Sequence, residues 1–151
     1  MAAKKYVSPT ISLDPLDPDF HRADIEFHGV DHSGASFEAA VFLNNPGADE
    51  TTAKEPEQGY AGSFHIFGHG GCLGDAGHCD VTGPPRPYDP RPAHPLTPAK
   101  KVVIATDAVR RALGEGPDVT VAVVPKVTSG TGRVDLEDVL KFERLAIVTY
   151  R

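Results

Sequence analysis

The chain has 151 residues and a mass of 16.1 kDa, the commonest size for one domain and too short for two well-filled cores. Leu, Ile, Val and Phe make up 36 of the 151 residues, enough for a core, while 29 Gly and Pro interrupt long helices and exclude an all-helical bundle. The formal charge is −6, with no basic run, so neither nucleic acid nor an anionic membrane is an expected partner. No apolar stretch approaches the roughly 20 residues of a spanning helix, and the first ten residues carry no apolar signal core. The expectation is a soluble cytoplasmic chain, or an extracellular one if it is excised from a secreted parent.

Residues 1–20 contain Leu13-Asp14-Pro15 and Leu16-Asp17-Pro18. Each proline removes a donor and pushes its predecessor towards extended geometry, which predicts an extended lead-in before a single domain at 21–151. From Asp24 to Val30, Ile25 and Phe27 alternate with Asp24, Glu26 and His28, the period of a strand with one wet face. The polar members of this stretch, with His21, Asp31 and His32, read as a solvated edge. Phe37 to Leu43 is mostly apolar on both faces and so belongs at the centre of a sheet. Asn45-Pro46-Gly47 turns the chain into a surface loop before a third strand at Tyr60 to Phe67.

That strand runs into a segment with five glycines between Gly68 and Cys79, and residues 82–98 then hold seven prolines, a stiff surface excursion. Lys101 to Ala105 is a short apolar run. Thr106 or Asp107 can cap a two-turn helix with Val109, Ala112 and Leu113 on one face and Gly114 as its stop. Asp107, Arg110 and Arg111 read as the exposed side of that helix. Asp118 to Val124 and Leu145 to Tyr150 have strand composition, while Asp135 to Phe142 fits a helix or a bulged strand equally. The sum is a mainly β chain, an antiparallel β-sandwich of six to seven strands with one short helix. Its expected core includes Ile25, Phe27, Val41, Phe64, Ile66, Val121, Val123 and Ile147.

Several of these segments, in this order, resemble a known family. Phe37-Glu38-Ala39-Ala40-Val41-Phe42-Leu43-Asn44, followed by Gly59-Tyr60-Ala61-Gly62-Ser63-Phe64, is similar to the strand, loop and (F/Y)AGSF segment of the C-terminal domain of polyphenol oxidases and tyrosinases. Val103 to Gly114 and Asp118 to Lys126 resemble that domain's short helix and VTLVP(R/K) strand. His69 falls where those domains often carry a histidine after the (F/Y)AGSF strand. A weaker resemblance extends to the C-terminal β-domain of molluscan haemocyanins. The resemblance covers residues 24–150 and implies a β-sandwich that packs on a helical dicopper domain and shields its copper entrance. In that family the six copper-binding histidines belong to the helical domain, which has no counterpart here. The resemblance therefore implies a type-3 copper oxidase domain or subunit as partner, and no diphenol oxidation by this chain alone. Cys72, His78, Cys79 and the proline-rich segment depart from the family pattern, so their chemistry is not inherited from it.

The residues suggest a second activity of their own. His65, His69, Cys72, His78 and Cys79 lie within fifteen residues, and imidazole with thiolate is the donor set of copper and zinc. On an extended strand His65 and His69 would stand about 13–14 Å apart, so only a bend at Gly68 could bring both to one ion. His69, Cys72, His78 and Cys79 form the better first set, because the glycines between them let the loop fold back. A Cys72–Cys79 disulfide stapling the loop and a pair of unpaired thiols are the alternatives. The spacing matches no zinc-finger signature. His65 alone also reads as an ordinary histidine on a sheet face, and His28 as a distant ligand at most. There is no Gly-x-Ser-x-Gly elbow and no phosphate loop, so hydrolysis and nucleotide binding have no positive support.

Three functions therefore stand at the sequence level. The first is an accessory domain of a type-3 copper oxidase. The second is a self-contained copper or zinc protein, with a metal-dependent oxidoreductase among its forms. The third is a structural or protein-binding sandwich held by a disulfide.

Overall fold

The structure, a computed structural model, describes residues 3–69, 87–88, 90, 96–129 and 136–151. Nine strands lie among them in chain order: β1 (Tyr6–Val7), β2 (Ile11–Ser12), β3 (Arg22–Val30), β4 (Ser36–Leu43), β5 (Tyr60–Ile66), β6 (Ala99–Ile104), β7 (Asp118–Val119), β8 (Val121–Ser129) and β9 (Arg144–Tyr150). One α-helix, α1 (Thr106–Glu115), connects β6 to β7. All pairings are antiparallel, in a four-stranded sheet ordered β1-β8-β4-β5, a three-stranded sheet ordered β6-β3-β9, and a small β2-β7 pair. The mainly β class is as the sequence predicts. The three two-residue strands β1, β2 and β7 account for the count above six or seven.

Alternation explains which face of each strand turns inward. In the three-stranded sheet Ile25 pairs with Val103 and with Ile147, and this row points at the core. Phe27, two residues on, is fully buried, and its ring lies 4.8 Å from Phe64 of the four-stranded sheet, so aromatic contact joins the two layers. Phe37, Ala39 and Val41 of β4 and Val121 and Val123 of β8 complete the layer. The core expected from the sequence is found, with Ile147 partly buried against it. The opposite face of β4 and β8 is also apolar, because Ala40, Phe42, Ala122 and Val124 pack with Ala48 and Tyr60 under the loop at 44–59. That second cluster is why β4 carries no polar period and sits at an inner position of its sheet.

The lead-in is extended but tied down. Tyr6 and Val7 pair with β8, Ile11 and Ser12 pair with β7, and Leu13 and Phe20 are buried. Helix α1 departs from its expected ends. Ala105 occupies the cap position and no side chain caps the helix, because the Thr106 hydroxyl instead accepts the Ala23 N–H at 3.2 Å. Gly114 does not stop it. The helix runs on to Glu115 and closes with the Gly116 N–H on the Ala112 carbonyl, since nothing crowds Gly114 and the buried Ala108, Val109 and Ala112 hold the turn before it. Arg110 lies on the exposed side as expected, donating to the Phe20 carbonyl at 2.8 Å and stacking over the Phe20 ring. The described residues 136–142 form neither helix nor strand, yet Val139 is buried and Phe142 sits between Tyr6 and Phe27.

Candidate functional site

Two places on the sandwich concentrate functional chemistry. The first is the end where β3 leaves the sheet, β5 ends and β6 begins. Val30 pairs with Ala99, so Thr97, just before β6, lies beside the turn that follows β3. On the other side Gly68 presses against that same turn: a Cβ there would stand 2.1 Å from the Gly34 carbonyl oxygen and 2.4 Å from the Ala35 carbonyl carbon. Only glycine fits so close an approach. The Gly68 N–H donates to Ser36 Oγ at 2.9 Å, and the His69 N–H donates to the His32 carbonyl at 2.8 Å.

The result is a pair of imidazoles. His32 Nδ1 and His69 Nδ1 face each other at 3.0 Å, the rings meet edge to face at 4.8 Å, and His32 Nε2 lies 2.5 Å from the Thr97 carbonyl oxygen. Both residues are partly shielded from solvent. Of the five ligands predicted from sequence, the structure thus places His69 beside His32. His65 is elsewhere: it is exposed on β5, with Nε2 at 3.7 Å from Glu38 Oε2. Glu38 is held below the usual carboxylate range, first by Lys54 and further by Ser63 and His65. Cys72, His78 and Cys79, with most of the proline-rich segment, lie outside the described residues. Among the described residues, no group of three or more His, Cys, Asp or Glu side chains could hold an ion.

The edge reading of Asp24, Glu26 and His28 is corrected by the topology, while His21, just before the strand, is exposed as expected. β3 is the central strand of its sheet, flanked by β6 and β9. His32 departs furthest from that reading, because its partner is 37 positions away and nothing in local spacing marks it.

The second place is the outer face of that three-stranded sheet. Asp24 pairs with Ile104 and Val148, and Glu26 with Val102 and Ala146, so these side chains share the outward face. Ile104 is 61% exposed and Val102 40%, with Tyr150 also open at the corner. Asp24 is nonetheless buried, because Arg22 closes over it with two hydrogen bonds, 2.7 and 2.9 Å, and itself lies over the Tyr150 ring. Glu26 contacts Lys100 at 3.2 Å and His28 at 3.0 Å. Those two partners, Lys100 foremost, hold its carboxyl below the usual range. The face is an apolar patch whose two carboxylates are already paired, with Arg144 exposed at its edge opposite His28, which suits contact with another protein surface. Among the described residues no helix is long and apolar enough to cross a membrane.

No family model matches the chain, and no curated protein matches it either. Among solved structures it is similar to a recombinantly expressed latent aurone synthase, a polyphenol oxidase co-crystallised with hexatungstotellurate(VI), with 16% identity and a TM-score of 0.54. The similarity covers 97% of this chain and 24% of that one, so the chain spans about a quarter of the enzyme it matches. The resemblance to the C-terminal β-domain of polyphenol oxidases, carried in the sequence by short ordered motifs, thus holds at the level of the fold.

Proposed function

We propose that this chain is an accessory β-domain of the polyphenol oxidase type, which packs on a helical type-3 copper domain and shields its copper entrance. The observation that carries this reading is the fold similarity over nearly the whole chain to a fraction of a polyphenol oxidase. The outer face of β6, β3 and β9 supports it. Val102 and Ile104 stand exposed beside carboxylates already paired with Arg22, Lys100 and His28, so covering them would bury apolar area without stranding a carboxylate, while Arg144 stays at the edge of the face opposite His28. The dicopper centre itself does not fit this chain: the described histidines lie on strands and their connections, not as pairs on helices. No step of oxidase chemistry is assigned to its residues. In the same proposal the segment from His69 to Cys79 takes up a transition metal, copper or zinc, through His69, Cys72, His78 and Cys79. Its support is the density of imidazole and thiol donors.

The test is functional. The purified chain alone should not oxidise diphenols, and added to a dicopper polyphenol-oxidase domain prepared without its own β-domain it should lower diphenol oxidation with saturation. Ile104→Lys, at a position exposed enough to leave the fold intact, should weaken that inhibition. A dicopper domain whose rate is unchanged at every concentration of the chain defeats the proposal.

A further inference from the structure

The outer strands of the two larger sheets, β1, β5, β6 and β9, are not equally protected. β1 is only two residues long. β5 and β6 close against each other, Gly62 so near that a Cβ there would stand 2.6 Å from Val103 Cγ1, and each has a register shift in its pairing. β9 has none of these devices. Its seven residues pair with β3 in unbroken register, with no proline and no charge between Arg144 and Tyr150. The direction of its free groups follows from β3. The N–H and C=O of a strand residue point to the same side, and successive residues alternate. The Ala23 carbonyl accepts the Ala105 N–H at 2.8 Å, so Ala23, Ile25 and Phe27 bond towards β6. Arg22, Asp24, Glu26 and His28 therefore bond towards β9, where Tyr150, Val148, Ala146 and Arg144 face them. Leu145, Ile147 and Thr149 direct their groups the other way, and among the described residues no strand lies there. The core row ends at the same place: Val103 and Ile25 are buried, whereas Ile147 beside them is only partly covered.

We infer that β9 is the contact of a two-fold dimer, in which a second copy of the chain lays its own β9 antiparallel along this edge and joins the two three-stranded sheets into one. The strand is complementary to itself in one register. With Ile147 opposite the partner's Ile147 the whole strand overlaps, and Leu145, Ile147 and Thr149 each donate and accept across the axis. Ala146 then meets the partner's Val148, and the exposed Arg144 meets the ring of the partner's Tyr150, beside Arg22 of that ring's own chain. Just beyond the strand the exposed Glu143 stands opposite the partner's Arg151, which Asp17 holds at the strand end. A shift of two residues either puts Lys141 opposite the partner's Arg151 or leaves Arg144 beyond the overlap. A helical domain of the kind proposed above has no strand to offer this edge, whereas a second copy has one of the right length. The axis is perpendicular to the sheet, so each copy keeps its own outer face with Val102 and Ile104 open, and the inference does not depend on what docks there.

The experiment is sedimentation of the full chain alone, from micromolar to millimolar concentration, with amide hydrogen exchange followed by nuclear magnetic resonance over the same range. The chain should form a dimer and nothing larger, because a two-fold contact closes on itself. Exchange at Leu145, Ile147 and Thr149 should slow as the dimer forms, while Ala146 and Val148, bonded to β3 in either state, should exchange slowly throughout. Thr149→Pro removes a donor that β3 does not use, and should weaken the dimer by at least about 10-fold while keeping the circular dichroism of the wild type. Phe67→Ala, which removes an exposed ring away from β9, should leave the dimer as it is. Should Thr149→Pro fail to fold, the exchange pattern of the wild type decides alone. A chain that stays monomeric at millimolar concentration, a dimer that leaves those three amides unprotected, or a dimer that persists in folded Thr149→Pro overturns the inference. So does a dimer lost with Phe67→Ala, or growth into larger species.

Discussion

Phe27→Ala should be the most damaging single truncation among the aromatic side chains of this sandwich, because Phe27 is the ring through which the two sheets meet. The side chain is fully buried, 4.8 Å from the Phe64 ring across the interface and 5.4 Å from Phe142, which in turn meets Tyr6 at 4.8 Å. Truncating a buried phenylalanine costs about 3–5 kcal/mol, part of it from the cavity that rigid neighbours cannot refill. Phe27's own strand is paired on both sides, whereas Phe64 lies on the edge strand β5 and Phe142 in an irregular segment that can partly close in, so the whole of that range is open. For a domain of this size the loss corresponds to a fall in Tm of roughly 6–20 °C. Phe27→Leu, which keeps most of the volume, should cost about 1–2 kcal/mol, between a methylene deletion and full truncation. Phe67→Ala is the internal control, since that ring is 84% exposed and its removal should change stability by less than about 0.5 kcal/mol. Urea unfolding followed by far-ultraviolet circular dichroism measures all three, as a lowered midpoint at unchanged slope. The reasoning fails if Phe27→Ala stays within 0.5 kcal/mol of wild type, to about the error of such fits, or if Phe67→Ala costs as much as Phe27→Ala.

Other substitutions test the two sites. Gly68→Ala should destabilise the protein by about 1–3 kcal/mol, because the new methyl meets backbone atoms of residues 34 and 35, which cannot swing aside; the same change should shift the imidazole resonances of His32 and His69 in nuclear magnetic resonance spectra. Glu26 and Glu38 are held below their ordinary value of 4.5 by their cationic neighbours, Lys100 and Lys54 foremost, so their contribution to stability is present above that pH and lost as the pH falls through the lowered values. The urea midpoint should therefore decline on acidification below about pH 4.5, and Glu26→Gln should make that decline shallower. Cys72→Ser and Cys79→Ser should each abolish tight metal binding if the thiolates are ligands. If the two cysteines form a staple instead, the changes should lower stability by about 2–4 kcal/mol with no effect on metal content, and wild-type protein should show no free thiol.

How far the sequence carried each conclusion depends on the range of the interactions involved. Strands β3, β4 and β5 could be located within two residues because burial of one or both faces writes a period of two, or an unbroken apolar run, into the local sequence. The ends of α1 were less legible. Thr106 has the chemistry of a cap, but its hydroxyl is drawn to the Ala23 N–H of β3, a tertiary contact that spacing does not encode. The same holds for the break at Thr120, which divides one apolar run into β7 and β8: the Thr120 N–H is taken by the Asn44 side chain and its carbonyl accepts the Asn44 N–H. Asp24 looked like an ordinary polar residue on an open strand, yet a strand on either side and the Arg22 clamp bury it. The imidazole pair was the least legible of all. The glycine at 68 gave a true signal of close backbone approach, but which backbone it approached, and hence that His32 would meet His69, is fixed only when β4 has paired with β5 and the sheet of β3 has packed against them.

The central claim, that this β-sandwich covers a dicopper oxidase domain, is tested most directly by sedimentation velocity on the chain mixed with such a domain lacking its own β-domain. The account predicts a one-to-one complex, absent or weakened with Ile104→Lys and retained with Phe67→Ala. Two components that sediment independently at all ratios, or a complex indifferent to Ile104→Lys, would contradict it.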